Sequence, residues 1–248
     1  MLLTGKSALI TGAANRIGAK TTRTLHENGA NLIIHYRHSD AEAKALARDL
    51  NSLRPDSAIT LQADLGDIER ISTLAQEAVA AFGRLDILIN NASSFYPTAI
   101  GDIDQTCWDD LIDSNFKAPL FLSQACHSQL RENNGVIINM LDIYASTPLK
   151  NHSLYCAAKA ANQMLVKSMA LELAPEVRVN GIAPGAILWP QHSDAAELEA
   201  QEKILAQIPL KRRGDPESIA KTILFLITND YVTGEVIRVD GGRLLQNY

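Results

Sequence analysis

Seven short apolar runs, each followed by a stretch long enough to form a helix, constrain this chain more than any other feature. The runs are Ser7–Thr11, Asn31–His35, Ala58–Gln62, Ile87–Asn90, Val136–Asn139, Arg178–Ile182 and Glu235–Val239. They read as continuous apolar segments rather than in/out alternation, the pattern of strands covered on both faces. Ile17–Glu27, Asp40–Leu53, Ile68–Phe82, Trp108–Leu130, Leu154–Leu173 and Pro216–Thr228 supply the intervening helices. Strand–helix alternation of this kind predicts right-handed βαβ units. The expected fold is therefore α/β: one doubly wound Rossmann-type domain spanning 1–248, a seven-stranded parallel sheet flanked by helices.

Punctuation agrees with that pattern. Gly29 is a C-cap signal after the first helix, Asp40 is placed to cap the second, and Asp215-Pro216 opens the last. At 248 residues the length admits one large domain or two small ones. No internal repeat, low-complexity tract or linker rich in Pro, Gly or Ser divides the chain, which decides for one. Residues 186–210 lack strand logic but carry a helical pattern near Ala195–Gln207. In a doubly wound domain they are expected to form a flap over the strand C-termini.

Composition excludes several classes of partner. A hydrophobic content of 46% with 21% charged residues is ordinary for a globular protein, and a net charge of −5 gives no electrostatic reason to bind nucleic acid or an anionic membrane. Cys107, Cys126 and Cys156 have no metal-ligand spacing, so no metal is expected, and sparse free thiols fit a reducing compartment. The residues before Lys6 are too few for a signal segment, and no apolar run approaches the ~20 residues of a membrane span. The expectation is a cytoplasmic protein acting on a small molecule.

The first run ends in Thr11-Gly12-Ala13-Ala14-Asn15-Arg16-Ile17-Gly18 and enters a helix. A tight strand-to-helix turn aims free backbone N–H groups and a helix dipole at one spot, which suits a pyrophosphate. Gly12 lets the chain turn, and Gly18 lets the helix approach the sheet. The second strand selects the nicotinamide. An NAD site ends it with a carboxylate for the ribose 2′-OH; here it ends His35-Tyr36-Arg37-His38-Ser39, with no carboxylate before Asp40. Arg37, Ser39 and Arg16 are suited to a 2′-phosphate, so the expected cofactor is NADPH. Asp64-Leu65 follows the third strand, where Asp64 either accepts from the adenine amino group or caps a helix. Asn90-Asn91-Ala92, with Ser93 next, ends the fourth strand beside the cofactor.

Tyr155 and Lys159 stand four apart on one helix face. A phenol, with a reference pKa near ~10, is a poor acid–base group at neutral pH; a nearby ammonium favours its phenolate and brings it into range. The same ammonium can hydrogen-bond the nicotinamide ribose.

Through Thr11–Gly18, Asn90-Asn91-Ala92, Asn115, Tyr155/Lys159 and Pro184-Gly185, nearly the whole chain resembles the short-chain dehydrogenase/reductase family. The resemblance implies that Tyr155 donates the proton, Lys159 tunes it and holds the ribose, Asn115 supports a water relay, and Pro184-Gly185 lies beside the nicotinamide. It implies a homotetramer with the Trp108–Leu130 and Leu154–Leu173 helices at one interface. Two residues depart from the family pattern: Arg16 replaces a glycine of the turn, and Asp142 stands where a serine is usual. Both departures are similar to the pteridine reductase branch, as are Ser93-Ser94-Phe95-Tyr96-Pro97-Thr98 and Asn139-Met140-x-Asp142.

That likeness implies a dihydropteridine as substrate. A carbonyl needs a hydroxyl donor, whereas a pterin presents ring nitrogens and an amino group that a carboxylate complements. Asp142 would bond Tyr155 and the pterin together, Phe95 would stack on the pterin, and Ser93 and Arg16 would contact pterin and cofactor. Read singly, Phe95 is also compatible with a core aromatic and Asp142 with a turn cap. Trp189 and His192 fall in the flap and are placed to line the substrate mouth, or else are exposed side chains on a loop.

Overall fold

A computed structural model of the protein describes residues 2–187 and 195–246. Its strands are β1 (Ser7–Ile10), β2 (Asn31–Tyr36), β3 (Ala58–Gln62), β4 (Ile87–Asn90), β5 (Val136–Met140), β6 (Arg178–Pro184) and β7 (Val236–Val239). All pair in parallel, in the order β3-β2-β1-β4-β5-β6-β7. The helices are α1 (Arg16–Glu27), α2 (Asp40–Leu53), α3 (Ile68–Phe82), α4 (Gln105–Ile112), α5 (Ala118–Glu132), α6 (Ser153–Leu173), α7 (Ala195–Ala206) and α8 (Pro216–Thr228). The expected seven-stranded doubly wound sheet is thus observed.

The apolar runs are continuous because each face of the sheet has its own core. Ala8 and Ile10 of β1 point to the layer holding Leu25 of α1, Leu46 of α2 and Ile223 of α8. Leu9 between them points to the layer holding Leu74 of α3, Leu122 of α5 and Val166 of α6. The order in which the chain lays down its strands reverses between β1 and β4, which opens a crevice above their C-terminal ends, where doubly wound folds bind ligands.

Two local expectations are corrected. Asp40 does not cap α2: it is the first helical residue, Ser39 occupies the cap position, and the Asp40 carboxylate is taken by Tyr36 and Lys44. Trp108–Leu130 is not one helix. A π turn at Asp113–Lys117 separates α4 from α5. Pro119 explains the break, because it lacks the N–H that would bond the carbonyl of Asn115 four residues earlier. Elsewhere, the expected Asp215 cap accepts from the Ser218 N–H at 2.7 Å, and Gly29 follows α1 at φ +101°.

Candidate active site

The turn after β1 is held by an exchange with the end of β4. Thr11 Oγ1 accepts from the N–H groups of Asn91 and Ala92, both at 2.9 Å, and Asn91 Nδ2 donates to the carbonyls of Thr11 and Gly12. Gly12 adopts φ +59°, and a Cβ there would meet Ala92 Cα at 3.1 Å. A Cβ on Gly18 would collide with the Gly12 carbonyl oxygen. Arg16, in the usual glycine position, sits at φ +51°, the left-handed region that costs a non-glycine residue about 1–2 kcal/mol.

This turn opens into a cleft of about 1580 Å³ lined by residues 12 and 14–18, residues 35–39, Asp64 and Leu65, and residues 91–95. Most of the sequence-predicted cofactor residues therefore share one cavity: Gly12, Asn15, Arg16, Ile17, Gly18, Arg37, His38, Ser39 and Ser93 are among them. Arg37 is half-exposed between two carboxylates, Asp64 at 3.1 Å and Asp110 at 3.5 Å. Asn15 Nδ2 donates to Ser39 Oγ at 3.2 Å, joining the turn to the end of β2.

Four expected residues have structural duties. His35 is 1% exposed; its Nδ1 accepts from the Gly12 N–H at 3.2 Å and its Nε2 lies 3.2 Å from the Ala63 carbonyl. Burial pulls its pKa down to about 4, so the neutral ring supports the turn from below. Asp64 does not cap α3, since Asp67 does, accepting from Glu69 and Arg70; Asp64 instead accepts from Gly66 N–H and pairs with Arg37. Pro184 ends β6, and Gly185 leaves room for Asp240, which a Cβ would approach to 2.8 Å.

The chemical groups lie past β5 and on α6. Asp142 Oδ1 accepts from the Tyr144 N–H at 2.9 Å, capping a short 3₁₀ turn, while Oδ2 accepts from the Tyr155 hydroxyl at 2.9 Å. The cap and the carboxylate–tyrosine pairing thus coexist in one side chain. Lys159 is fully buried, donates to the Met140 carbonyl at 2.8 Å, and stands 5.7 Å from the Tyr155 ring centroid. Burial lowers its pKa to about 8 despite the Asp142 charge.

The expected acidification of Tyr155 by Lys159 is outweighed in this site. Burial and the adjoining Asp142 carboxylate hold the phenol well above its ordinary range, and burial likewise raises Asp142. Tyr155 therefore keeps its proton at neutral pH and donates it in a hydrogen bond to Asp142.

Phe95 is not a core residue. It is 55% exposed, meets Tyr155 edge-on at 4.8 Å and stacks on His152 at 4.8 Å with an 18° interplanar angle. Ser93 Oγ donates to Asn115 Oδ1 at 2.7 Å, so Asn115, at 0% exposure, anchors the segment that carries Phe95. The bridge between Thr98 and His152 fixes the far end of that segment. Trp189 and His192 lie outside the described residues, as does much of the expected flap; α7 falls within it.

A family profile described as enoyl-(acyl carrier protein) reductase matches residues 12–243. The chain belongs to the short-chain dehydrogenase/reductase family. It is 36% identical to pteridine reductase 1 of Leishmania tarentolae, over 96% of both chains. It is also 36% identical to the 3-oxoacyl-(acyl-carrier-protein) reductase FabG of Staphylococcus aureus, over 96% of this chain and 97% of that one. The Staphylococcus epidermidis FabG is 34% identical over 96% of this chain and 98% of its own length. As a short-chain family member the protein is an oxidoreductase; Asp142, Tyr155 and Lys159 do not line the cleft themselves, and Tyr155 meets it through Phe95.

Sequence reasoning missed four contributors to this family site. Thr11 clamps the β1 and β4 ends, and His152 backs Phe95. Asn162 bonds the Asn115 carbonyl, and Arg243 lies 5.7 Å over the Tyr144 ring. Pro119 and the spacing of Asn162 three residues after Lys159 were the available signals for one of them. The other contacts are tertiary and leave no local pattern.

Proposed function

We propose that this short-chain reductase uses NADPH to reduce a dihydropteridine to its tetrahydro form, with oxidised pterin as a further substrate. The observation that carries the reading is the 2.9 Å bond between Asp142 Oδ2 and the Tyr155 hydroxyl, with Phe95 against the same tyrosine. A carboxylate in that position complements a nitrogen heterocycle, and an exposed aromatic ring beside it suits a flat one. The Leishmania relative named pteridine reductase 1 supports the same assignment.

The cleft fits the cofactor. Gly12 and Gly18 leave a cradle that a Cβ would fill, and Arg16, Arg37 and Ser39 offer donors for a 2′-phosphate. Bound NADPH supplies the hydride. Tyr155 would deliver its phenolic proton to the ring nitrogen of the substrate C=N bond, whose carbon is the hydride acceptor. Asp142 holds the phenol and the pterin amino group in line, Lys159 holds the nicotinamide ribose, and Asn115 fixes Ser93. Ser93 and Phe95 hold the pterin, and Trp189 belongs to the substrate mouth.

A second reading, reduction of an oxoacyl ketone, is favoured by the Staphylococcus FabG relatives at equal identity. NADPH oxidation followed with dihydrobiopterin, dihydromonapterin and dihydrofolate, beside a ketone panel, separates the two. Pterin turnover is expected. Turnover of ketones alone overturns the proposal, and no turnover with either favours a silent NADP-binding sensor.

We read the enzyme as a cytoplasmic homotetramer. Free cysteines support a reducing location. Trp108 of α4 and Met164 and Leu171 of α6 are 50%, 64% and 84% exposed, apolar surface suited to an interface between copies. Light scattering on the eluting protein tests this, and a monomer would refute it.

A further inference from the structure

A line of side-chain amides crosses the interior beneath the site. Asn90 Nδ2 donates to Asn139 Oδ1 at 2.8 Å, Asn139 Nδ2 to Asn162 Oδ1 at 2.7 Å, and Asn162 Nδ2 to the Asn115 carbonyl at 2.9 Å. All four residues are nine-tenths or more buried. From Asn115 the line continues outward. Its Oδ1 accepts from Ser93 Oγ at 2.7 Å, and its Nδ2 donates to the Ser94 carbonyl at 2.9 Å.

The Asn162 link answers a defect set by sequence. Pro119 has no N–H, so the Asn115 carbonyl lacks its α-helical donor, and the π turn turns that residue into the core. An unpaired buried carbonyl costs about 1–3 kcal/mol. Asn162 satisfies it from α6, on the turn after Lys159 and the second turn after Tyr155. A single amide thereby ties the helix that carries the proton-handling pair to the turn that carries Asn115. Asn139 holds that amide in orientation, since the Asn162 oxygen is already bonded. Apolar packing would fill this volume without needing partners. The amide line instead holds the main chain of Asn115 in place, and the Asn115 side chain, whose Nδ2 also donates to the Leu111 carbonyl at 2.9 Å, carries that placement to the Ser93–Phe95 segment.

We infer that Asn162 is a positioning residue: it fixes Asn115 and, through it, sets Ser93 and Phe95 against Tyr155. The inference concerns the oxidoreductase site and does not depend on the substrate being a pterin.

Two variants close in size to asparagine test it. Asn162→Asp keeps the acceptor for Asn139 and loses the donor to Asn115; Asn162→Leu loses both. Hydrogen exchange needs no substrate: the amides of Ser93–Phe95 should exchange at least tenfold faster while those of β5 stay protected. With whichever oxidised substrate the wild type turns over, kcat should fall about ten- to a hundredfold and KM rise, because misplacement near the chemistry is costly. NADPH affinity should stay within twofold, since the Gly12–Gly18 turn is held by Thr11 and Asn91 instead. Combining Asn162→Leu with Ser93→Ala should be no worse than the more damaging single change. Unchanged exchange at Ser93–Phe95, parallel loss of NADPH affinity and kcat, or fully additive effects would each overturn the inference. Failure of both variants to fold would assign Asn162 to stability alone.

Discussion

Replacing Asp142 by serine tests the proposed substrate class with little collateral damage. Asp142 has two separable duties, since Oδ1 caps the turn at Tyr144 N–H and Oδ2 receives the Tyr155 hydroxyl. Serine is as good a cap as aspartate, so the first duty survives. What disappears is the carboxylate at 2.9 Å from the phenol. A hydrogen bond to a charged group contributes about 1.5–3 kcal/mol, which corresponds to roughly 10- to 150-fold in rate. We expect kcat/KM for dihydropterin to fall by that factor, while the NADPH dissociation constant, read by fluorescence titration, changes less than twofold. The new hydroxyl should also raise turnover of small ketones, for which a neutral donor is the better partner. Equal losses of pterin turnover and NADPH affinity would refute the reasoning and leave Asp142 as a structural cap.

Tyr155→Phe removes the proton donor and should lower turnover about 10²- to 10⁴-fold with NADPH binding intact; retained activity would remove Tyr155 from the proton path. Arg37→Ala should raise the NADPH KM about 10- to 100-fold and leave that for NADH within threefold, since only the former carries the phosphate; equal effects would dismiss Arg37 as the selector. Arg16→Gly relieves a positive-φ arginine, so the melting temperature should stay level or rise by up to about 3 °C while cofactor affinity drops; a lower melting temperature would show that no strain resides there. His35 is buried neutral with its pKa pulled from 6.5 to about 4. The unfolded chain binds the extra proton first, so stability declines by up to about 3 kcal/mol as pH falls from 6.5 towards 4. His35→Asn should flatten that acid limb in chemical denaturation; an unchanged limb would place the titration elsewhere.

The fold was legible because a sheet covered on both faces writes itself as unbroken apolar runs, and the β1 turn because glycines mark it. Asp142 and Phe95 stood out only through the resemblance to the pteridine reductase branch, since read singly each also fits a turn cap or a core aromatic; Tyr155 was marked by Lys159 four residues on. The division of α4 from α5 was less legible. Hydrophobic periodicity runs through Pro119, and only the missing N–H of that residue betrays the interruption. His35 and Arg37 stand two apart, and strand alternation would put them on one face. β2 ends at Tyr36, so Arg37 has left the strand and is half-exposed in the cleft while His35 is buried beneath the turn. The influence of Lys159 on Tyr155 was misjudged for a related reason. An i,i+4 spacing reports a shared helix face, whereas the burial that governs both pKa values is tertiary: Tyr155 packs with Leu111 and Leu154, and Lys159 is buried against the Met140 carbonyl.

Those directions together determine how the site should respond to alkali. Burial and the Asp142 charge hold Tyr155 well above its ordinary range, so the phenol does not lose its proton as pH rises from neutrality. Lys159 does, near pH 8. Its ammonium favours the Asp142 anion, and in the proposed mechanism it also holds the ribose, so kcat/KM should fall on the alkaline side with a midpoint near 8. That fall cannot be unfolding caused by the same group. A lysine whose folded pKa is depressed from 10.5 to about 8 binds fewer protons folded than unfolded across that window, and its contribution to stability improves as pH rises. Activity and stability should therefore diverge between pH 8 and 10. Lys159→Arg supplies the test, because a guanidinium keeps its charge throughout. The variant should be slower at neutral pH, since its fork replaces a compact ammonium in a fully buried position, yet it should lose the alkaline limb. A limb that persists unchanged in the arginine variant would mean that another group titrates, and that the buried lysine holds its neighbours without governing their protons.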